Sequence, residues 1–279
     1  NYAIIYQCND ILTAIAEKET AGQTEAEDII NKGEASFFRA YCYFNLVRAF
    51  GEVPLVTYKI NDASEANIPK TSADKIYEQI DKDIEQALLH YNNIGGSSVD
   101  QYYMNEAAVY ALKARVALYE EDYRAAIDAA QTAISLRGGH IIVSTASDYR
   151  DMFTHITINS EDIFTISKSL TDNLSANSIG TLYSTYGLSP AQDAVIKYFY
   201  PADYDGETAP DIKDIRYPLL VEGGNETTGY EGGKYYGITE NRSVCNIPVL
   251  RLPEQYLIIA EANARWSEGS LTDAQNALL

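Results

Sequence analysis

The chain has 279 residues, 46% of them hydrophobic, and a mean hydropathy of −0.24. Its 40 acidic and 21 basic side chains give a formal net charge of −19, and such a surface repels the phosphate backbones of nucleic acids and anionic lipids. We therefore expect a core of one large domain or two modest ones, without a nucleic-acid partner or a membrane-spanning segment.

The N-terminal part of the chain is predicted to be helical. A first helix covers residues 2–19, a polar loop covers residues 18–32, and a second helix covers residues 33–50. The second helix is apolar on almost every side, so it must lie inside a helical array. Arg39 falls on its apolar side and should be an internal cation with a carboxylate or carbonyl partner. The hydrophobic periodicity alone does not exclude an ordinary core helix of another fold.

Three more helices follow in the first half. Residues 74–91 carry isoleucines at i+4 spacing with charges between them, which predicts a third helix. Residues 103–119 and 123–136 are rich in alanine and are joined by the acidic turn 120–122. Small residues let two antiparallel helices approach closely, and the pattern resembles a tetratricopeptide hairpin. Arg115 is a second cation near an apolar seam, and we expect it to be structural, like the arginine of the second helix.

The character of the sequence changes between residues 138 and 252. Short β-like runs at 141–143, 163–166 and 244–252 alternate with loops rich in Gly, Asn, Ser, Thr and Tyr. Helical patterns return after Pro253, a favourable residue for a first helical turn.

These elements together predict a mainly α fold with a tetratricopeptide-like helical hairpin scaffold. We expect an N-terminal helical part over residues 1–137 and a loop-rich variable lobe with short β-strands over residues 138–252. Residues 253–279 should form a C-terminal helical hairpin that packs back on the scaffold.

Residue types that carry catalysis or bind metals form no recognisable pattern. The three histidines are far apart and follow no metal spacing, and no nucleophilic triad is evident, so we expect neither catalytic residues nor a metal or cofactor. A glycosidase-type carboxylate pair stays open, because carboxylates are abundant. Cys8 and Cys42 lie on the first two predicted helices and could approach each other, although buried free thiols are favoured over a bridge.

Motifs along nearly the whole chain resemble one known family. In chain order they include Phe38-Arg39-Ala40, Phe50-Gly51, Val53-Pro54-Leu55, Ala107-Ala108, Tyr123-Arg124-Ala125-Ala126, Glu161-Asp162-Ile163-Phe164, Asp214-Ile215-Arg216 and Arg251-Leu252. They are similar to the signatures of the SusD/RagB family, which are surface lipoproteins of Bacteroidetes that capture nutrients, mostly glycans. Family members are considerably longer, and many use Trp platforms on loops, whereas the single Trp266 here falls inside a predicted helix.

The resemblance implies a non-catalytic protein that binds glycan at the cell surface. It implies delivery of that glycan to a SusC-like TonB-dependent transporter, and an outer-membrane location through an N-terminal lipid anchor absent from this chain. A tetratricopeptide-type adaptor that binds proteins and no glycan is the alternative. An enzyme acting on glycans has the weakest support.

Tyrosine is the compositional outlier, with 23 residues against seven Phe and one Trp. A tyrosine ring offers a flat apolar face with a hydroxyl at its edge, which suits stacking against a sugar. Most of the tyrosines should line helix contacts, so the candidates for ligand binding are those predicted in loops. They are Tyr183, Tyr186, Tyr200, Tyr204, Tyr230, Tyr235 and Tyr236.

Overall fold

The computed structural model describes residues 1–94, 100–138, 142–154, 156–186, 192–204, 212–220, 234–235, 241 and 243–279. For residues 63, 92–94, 183–186, 192–193, 218 and 220 it describes the backbone alone. The chain divides into two compact units. One consists of Asn1–Gly138 with Glu254–Leu279, and the other of Gly139–Pro253. No helix within the described ranges has both the length and the apolar composition needed to cross a membrane.

Helices dominate the described chain, which confirms the mainly α fold. In chain order they are α1 (Tyr2–Ala21), α2 (Ala26–Phe50), α3 (Ala73–Ile94), α4 (Glu106–Tyr119), α5 (Tyr123–Arg137), α6 (Ala146–Asp151), α7 (Ile179–Tyr186), α8 (Gln192–Phe199), α9 (Tyr217–Leu220), α10 (Leu252–Arg265) and α11 (Leu271–Asn276). Two antiparallel strand pairs accompany them. They are β1 (Val53–Pro54) with β2 (Lys70–Thr71), and β3 (Asp162–Ile166) with β4 (Ile247–Arg251).

The polar stretch 18–32 is mostly helical, so the loop predicted there is wrong. Helix α1 ends where Gly22 adopts the left-handed conformation, with a φ of 67°. Helix α2 begins behind a capping box, in which the backbone N–H of Glu25 donates to the Asp28 carboxylate at 2.9 Å. Lys18 pairs with Asp28 at 2.7 Å. The polar side chains therefore cap and join two helix ends, which leaves only a short connection between them.

Helix α2 is an interior helix, as the apolar pattern predicts. It packs against both α1 and α3, and Phe37, Tyr43 and Phe44 are each at most 1% exposed. The helix surfaces at its C-terminal end, where Phe50 is 71% exposed. The apolar pattern thus overstates burial in the last turn.

Arg39 has the carboxylate partner predicted for it. Its Nε and Nη2 donate to the two carboxylate oxygens of Asp83 at 2.8 and 2.6 Å, and its Nη1 donates to Asn9 at 2.8 Å. Arg39 and Asp83 are only 7% and 2% exposed. Since these residues come from α2, α3 and α1, the buried ion pair ties the first three helices together.

Helices α4 and α5 form the close antiparallel pair predicted from their alanines. Ala108, Ala111, Ala114 and Ala130 are completely buried, and the two helices pack against each other. Helix α4 begins at Glu106 and not at residue 103, where the sequence predicts its start. The Asn105 side chain caps the helix by accepting a hydrogen bond from the Ala108 N–H at 2.9 Å.

Arg115 joins α4 to the C-terminal helices. Its Nε and Nη2 each donate to the carboxylate of Glu254, in the first turn of α10, at 2.5 Å. Ser270 caps α11, because its hydroxyl accepts from the Asp273 N–H at 3.1 Å. Cys8 and Cys42 are buried free thiols, which is the state favoured above.

The second unit contains more regular structure than the loop-rich pattern indicates, since α6, α7, α8 and α9 all lie within it. Strands β3 and β4 confirm the predicted runs at 163–166 and 244–252, with Asp162 opposite Arg251 and Ile166 opposite Ile247. Residues 142 and 143 are not a strand, and residue 141 lies outside the described residues.

Candidate functional site

The second unit holds a cluster of aromatic and charged side chains that we call the Lys234 cluster. It consists of Tyr149, Phe153, Glu161, Lys234, Tyr235 and Arg251. Helix α6 and the turn after it supply Tyr149 and Phe153, whose rings meet edge to face at 5.3 Å. Phe153 is only 1% exposed and packs with Met152 and Leu219, so the cluster rests on a hydrophobic core.

Two cations lie over the ring of Phe153. The Lys234 ammonium is 4.3 Å and the Arg251 guanidinium 5.3 Å from its centroid, within the range of cation–π attraction. Arg251 Nη1 also donates to Glu161 Oε2 at 3.0 Å. Burial and the nearby charge of Arg251 lower the pKa of Lys234.

Tyr149 also senses the charge of a second arginine, Arg216. Burial raises the pKa of Tyr149, while the charges of Arg251 and Arg216 act in the opposite direction. Arg216 makes a bidentate pair with Asp214, with distances of 2.9 and 2.6 Å for the two separate oxygens. The Asp-x-Arg motif of the sequence therefore forms a local ion pair, and Arg216 lies 5.8 Å from the ring centroid of Phe199.

Tyr235 is the residue that connects the Lys234 cluster to a pocket. Its ring packs edge to face on Phe153 at 5.2 Å, and its backbone has a φ of 66°, a conformation that L residues rarely adopt. The Cys245 thiol donates to the Tyr235 carbonyl at 3.6 Å. Functional sites often contain such strained positions.

The pocket, which we call the Tyr235 pocket, has an empty volume of about 290 Å³. Its walls include Lys168, Leu174, Ile179, Tyr235, Cys245 and Ile247. Most of this lining is apolar, and Lys168 is the one charged side chain among the described residues that form it. Pockets for small ligands have this character, since a few polar groups among apolar walls fix the orientation of the ligand.

A chain of hydroxyl groups borders the Tyr235 pocket. Ser178 Oγ donates to Thr181 Oγ1 at 2.8 Å, and Thr181 Oγ1 lies 2.8 Å from Ser243 Oγ. Ser243 Oγ in turn donates to the carbonyl of Ser175 at 2.9 Å. Ser178 and Ser243 also line the pocket, so two hydroxyl oxygens are held in place at its wall.

A second aromatic cluster, the Tyr200 cluster, surrounds Val195 and consists of Phe199, Tyr200, Tyr204 and Tyr217. Tyr200 and Tyr204 meet edge to face at 4.6 Å. Helix α9 connects the two clusters. Its Tyr217 packs in the Tyr200 cluster, and its Leu219 packs in the hydrophobic core under the Lys234 cluster.

The seven tyrosines predicted to bind ligand have different surroundings. Tyr183 and Tyr186 lie in α7, which corrects their placement in a loop, because the stretch from Ile179 continues as a helix. Tyr200 and Tyr204 follow α8 and pack against each other, and Tyr235 lines the pocket.

The remaining two, Tyr230 and Tyr236, lie outside the described residues. The structure thus brings Tyr200 and Tyr204 together in one cluster and places Tyr235 in another.

Sequence reasoning did not select Tyr198 or Lys234 as candidate binding residues. Tyr198 is 70% exposed, the highest value among the tyrosines whose side chains are described, and Lys197 lies over its ring at 5.1 Å. Its position beside Tyr200 in an aromatic run was the available signal. Lys234 carried a weaker signal, a lysine next to tyrosine in a glycine-rich stretch.

The described residues contain no group of three or more His, Cys, Asp or Glu side chains that could hold a metal ion. What the described site offers is flat aromatic rings, fixed hydroxyls and cations.

Comparisons with known proteins agree with this architecture. A sequence model of SusD-like proteins, described as starch-binding and associating with the outer membrane, matches residues 1–118. SusD-like protein P38 of Formosa agariphila is 29% identical over 159 residues, which are 57% of this chain and 29% of that protein.

Solved structures extend the likeness to the whole chain. A SusD superfamily protein from Bacteroides vulgatus is 26% identical, with a TM-score of 0.78, over 99% of this chain and 63% of that one. Another, from Bacteroides thetaiotaomicron, is 22% identical with a TM-score of 0.77 over the same shares. The chain is therefore similar to SusD-like proteins in sequence over residues 1–118 and shares the fold of SusD superfamily structures over 99% of its length. This SusD-like chain spans under a third of protein P38 and under two thirds of the two solved relatives.

Proposed function

We propose that this SusD-like chain binds carbohydrate in association with the outer membrane and catalyses no reaction. The family whose model matches residues 1–118 is described as starch-binding and associating with the outer membrane. Its fold is shared over 99% of its length with SusD superfamily structures. Both observations support carbohydrate as the ligand class.

The observation that carries the proposal is the position of Tyr235. Tyr235 lines the Tyr235 pocket together with Ser178 and Ser243. A sugar ring has apolar C–H faces and a rim of hydroxyls, so it can stack on an aromatic ring and exchange hydrogen bonds at its edge. Because this space of about 290 Å³ includes open solvent, we propose that one sugar unit of a longer glycan binds across the mouth of the pocket.

Tyr198 supplies a second contact in this proposal. Since its ring is 70% exposed, a further sugar unit can stack on it without displacing protein packing. Tyr200 and Tyr204 are packed against each other, so we assign the contact to Tyr198 and not to them.

Isothermal titration calorimetry with a panel of defined oligosaccharides tests carbohydrate binding. Replacing Tyr235 by alanine should weaken binding about tenfold, corresponding to about 1.4 kcal/mol, while replacement by phenylalanine should preserve the stacking face. Tyr103→Ala is the matched control, because this tyrosine is 63% exposed and belongs to the other unit. Equal affinities of the alanine variant and the unaltered protein would contradict the role of Tyr235.

A separate experiment tests the absence of catalysis. Each oligosaccharide that binds is incubated with the protein, and new reducing ends are measured. We expect none above a protein-free control, and their release would show that the chain is an enzyme.

We further propose that the bound glycan is delivered to a SusC-like TonB-dependent transporter and that the protein is held at the cell surface by a lipid anchor. The resemblance to the SusD/RagB family supports both steps. Co-expression with a SusC-like transporter, followed by affinity purification from solubilised membranes, should recover the two proteins together. Recovery of the chain with a soluble protein and without the transporter would favour the adaptor function instead.

A further inference from the structure

The ammonium group of Lys234 has an unusual environment for this chain. It lies 4.3 Å from the ring centroid of Phe153 and 5.4 Å from that of Tyr235. Aromatic faces attract the charge, but they do not accept its three N–H donors as oxygen atoms would. The side chain is half-buried, and among the described residues no carboxylate is paired with it.

The one carboxylate of the Lys234 cluster is already used by other donors. Glu161 Oε2 accepts from Arg251 at 3.0 Å, and Glu161 Oε1 accepts from the backbone N–H of Val143 at 2.8 Å. Glu161 is only 2% exposed. The Lys234 cluster thus contains two cations and one carboxylate, so one positive charge has no counter-ion within the part of the chain that the structure describes.

Two arginines of the helical unit show how a carboxylate neutralises a cation inside the protein. Arg39 pairs with Asp83, and Arg115 pairs with Glu254. With 40 acidic and 21 basic residues in the whole chain, carboxylates are plentiful, so the positive charge at Lys234 is a local reversal of the overall charge. It attracts an anion at a place where the rest of the surface repels one.

The positive charge lies beside the wall of the Tyr235 pocket. Lys234 is next to Tyr235 in sequence and its ammonium faces the same ring, while Lys168 lines the pocket itself. A sugar bound against Tyr235 would therefore lie near two lysines, Lys168 and Lys234. Charge-assisted hydrogen bonds from lysine favour a carboxylate or sulfate oxygen over a neutral hydroxyl.

We propose that the carbohydrate bound at Tyr235 is anionic and that its carboxylate or sulfate ester pairs with Lys234. This inference rests on the carbohydrate binding proposed above and specifies the class of sugar. Uronic acids and sulfated sugars share the chemistry that the site recognises.

Matched pairs of ligands separate this inference from carbohydrate binding itself. The probes are oligogalacturonate with its carboxyl-reduced counterpart, and a sulfated galactan oligosaccharide with its desulfated counterpart, each titrated calorimetrically. We expect at least one acidic member to bind ten or more times more tightly than its neutral counterpart. Raising the salt concentration from 50 to 500 mM should weaken binding of the acidic member only, because salt screens charges. The two pairs distinguish the carboxylate from the sulfate.

Substitution of Lys234 then tests which side chain provides the selectivity. Lys234→Gln should reduce the preference for the acidic member about tenfold and leave the affinity for the neutral member unchanged. Lys234→Arg keeps the charge and should retain the preference. Lys75→Gln is the control, because it removes the same charge from an exposed position in the other unit. Thermal unfolding of each variant confirms that it is folded.

The outcomes are distinct. Equal affinity for both members of each pair, or a preference that survives Lys234→Gln, would overturn this inference and leave carbohydrate binding intact. Failure of all four oligosaccharides and the wider panel to bind would overturn the proposed function together with the inference.

Discussion

The substitution Asp83→Asn tests how far the scaffold depends on the buried ion pair. It preserves the shape of the side chain but removes the negative charge that faces the Arg39 guanidinium in two hydrogen bonds, at 2.8 and 2.6 Å. Breaking a buried pair by removing one charge costs about 3–5 kcal/mol. Because asparagine still accepts one hydrogen bond, we expect the lower value, about 3 kcal/mol.

Thermal unfolding followed by far-ultraviolet circular dichroism measures this loss. One kcal/mol shifts the Tm of a protein of this size class by about 2–4 °C, so the Tm should fall by about 6–12 °C. A fall of less than about 2 °C would refute the reasoning, since Arg39 would then be stable without its counter-charge.

A double variant separates the charge from the packing. Replacing Arg39 by methionine together with Asp83 by leucine removes both charges and keeps most of the volume, which often leaves stability equal or higher. Burial raises the pKa of Asp83 in spite of the hydrogen bonds and charge of Arg39, so desolvation is the larger effect at this pair. We therefore expect the double variant to be more stable than Asp83→Asn, and an equally large loss in both would contradict this account.

Three further predictions concern other sites of the helical unit. Arg115→Met should lower the Tm by a few degrees and leave ligand affinity unchanged, because it removes the pair with Glu254, which calorimetry and thermal unfolding can check together. Burial and two neighbouring aspartates raise the pKa of Glu120 to about 7, so its contribution to stability falls as pH rises from about 4.5 to 7. Glu120→Gln should therefore raise the Tm more at pH 8 than at pH 5, and a pH-independent shift would contradict this. Gly33→Ala would place its Cβ 2.7 Å from the Cβ of His90, and this overpacking should cost about 1–3 kcal/mol in urea denaturation.

The helical scaffold was predictable because buried helices require particular residue patterns, such as a partner for a buried charge and small side chains where two helices approach closely. The apolar surround of Arg39 required a partner for its charge, and the structure supplies Asp83. The identity of that partner was not predictable, since Asp83 lies 44 positions away and many carboxylates were available. The alanines of α4 and α5 indicated a close helix pair for the same kind of reason, because only small side chains permit such an approach.

The secondary-structure predictions were wrong where polar residues stabilise a helix end, because hydrophobic periodicity does not detect such residues. The stretch 18–32 looks like a loop by composition, yet Glu25 and Asp28 form a capping box, which is a local hydrogen-bonding arrangement and leaves no apolar pattern. The glycines that flank Tyr183 and Tyr186 predict a loop, although both tyrosines lie in helix α7. Glycine marks a possible break in a helix and does not enforce one.

The candidate site was less predictable than the scaffold, because it depends on contacts between segments distant in sequence. Composition indicated tyrosine as a recognition residue, but the exposure of Tyr198 and the half-burial of Tyr200 are set by tertiary packing. Lys234 and Arg251 meet over Phe153 from separate parts of the chain. No spacing rule connects these three residues.

The contrast between Arg39 and Lys234 explains why one is assigned to the fold and the other to a ligand. Arg39 is enclosed by acceptors from three helices, so its charge is satisfied within the protein and its removal disturbs only stability. Lys234 is held by two ring faces and is repelled by Arg251. Packing alone would be served as well by a neutral side chain of similar length, because burying an unpaired charge is unfavourable. A lysine at position 234 becomes favourable when an anionic group of a ligand pairs with its ammonium.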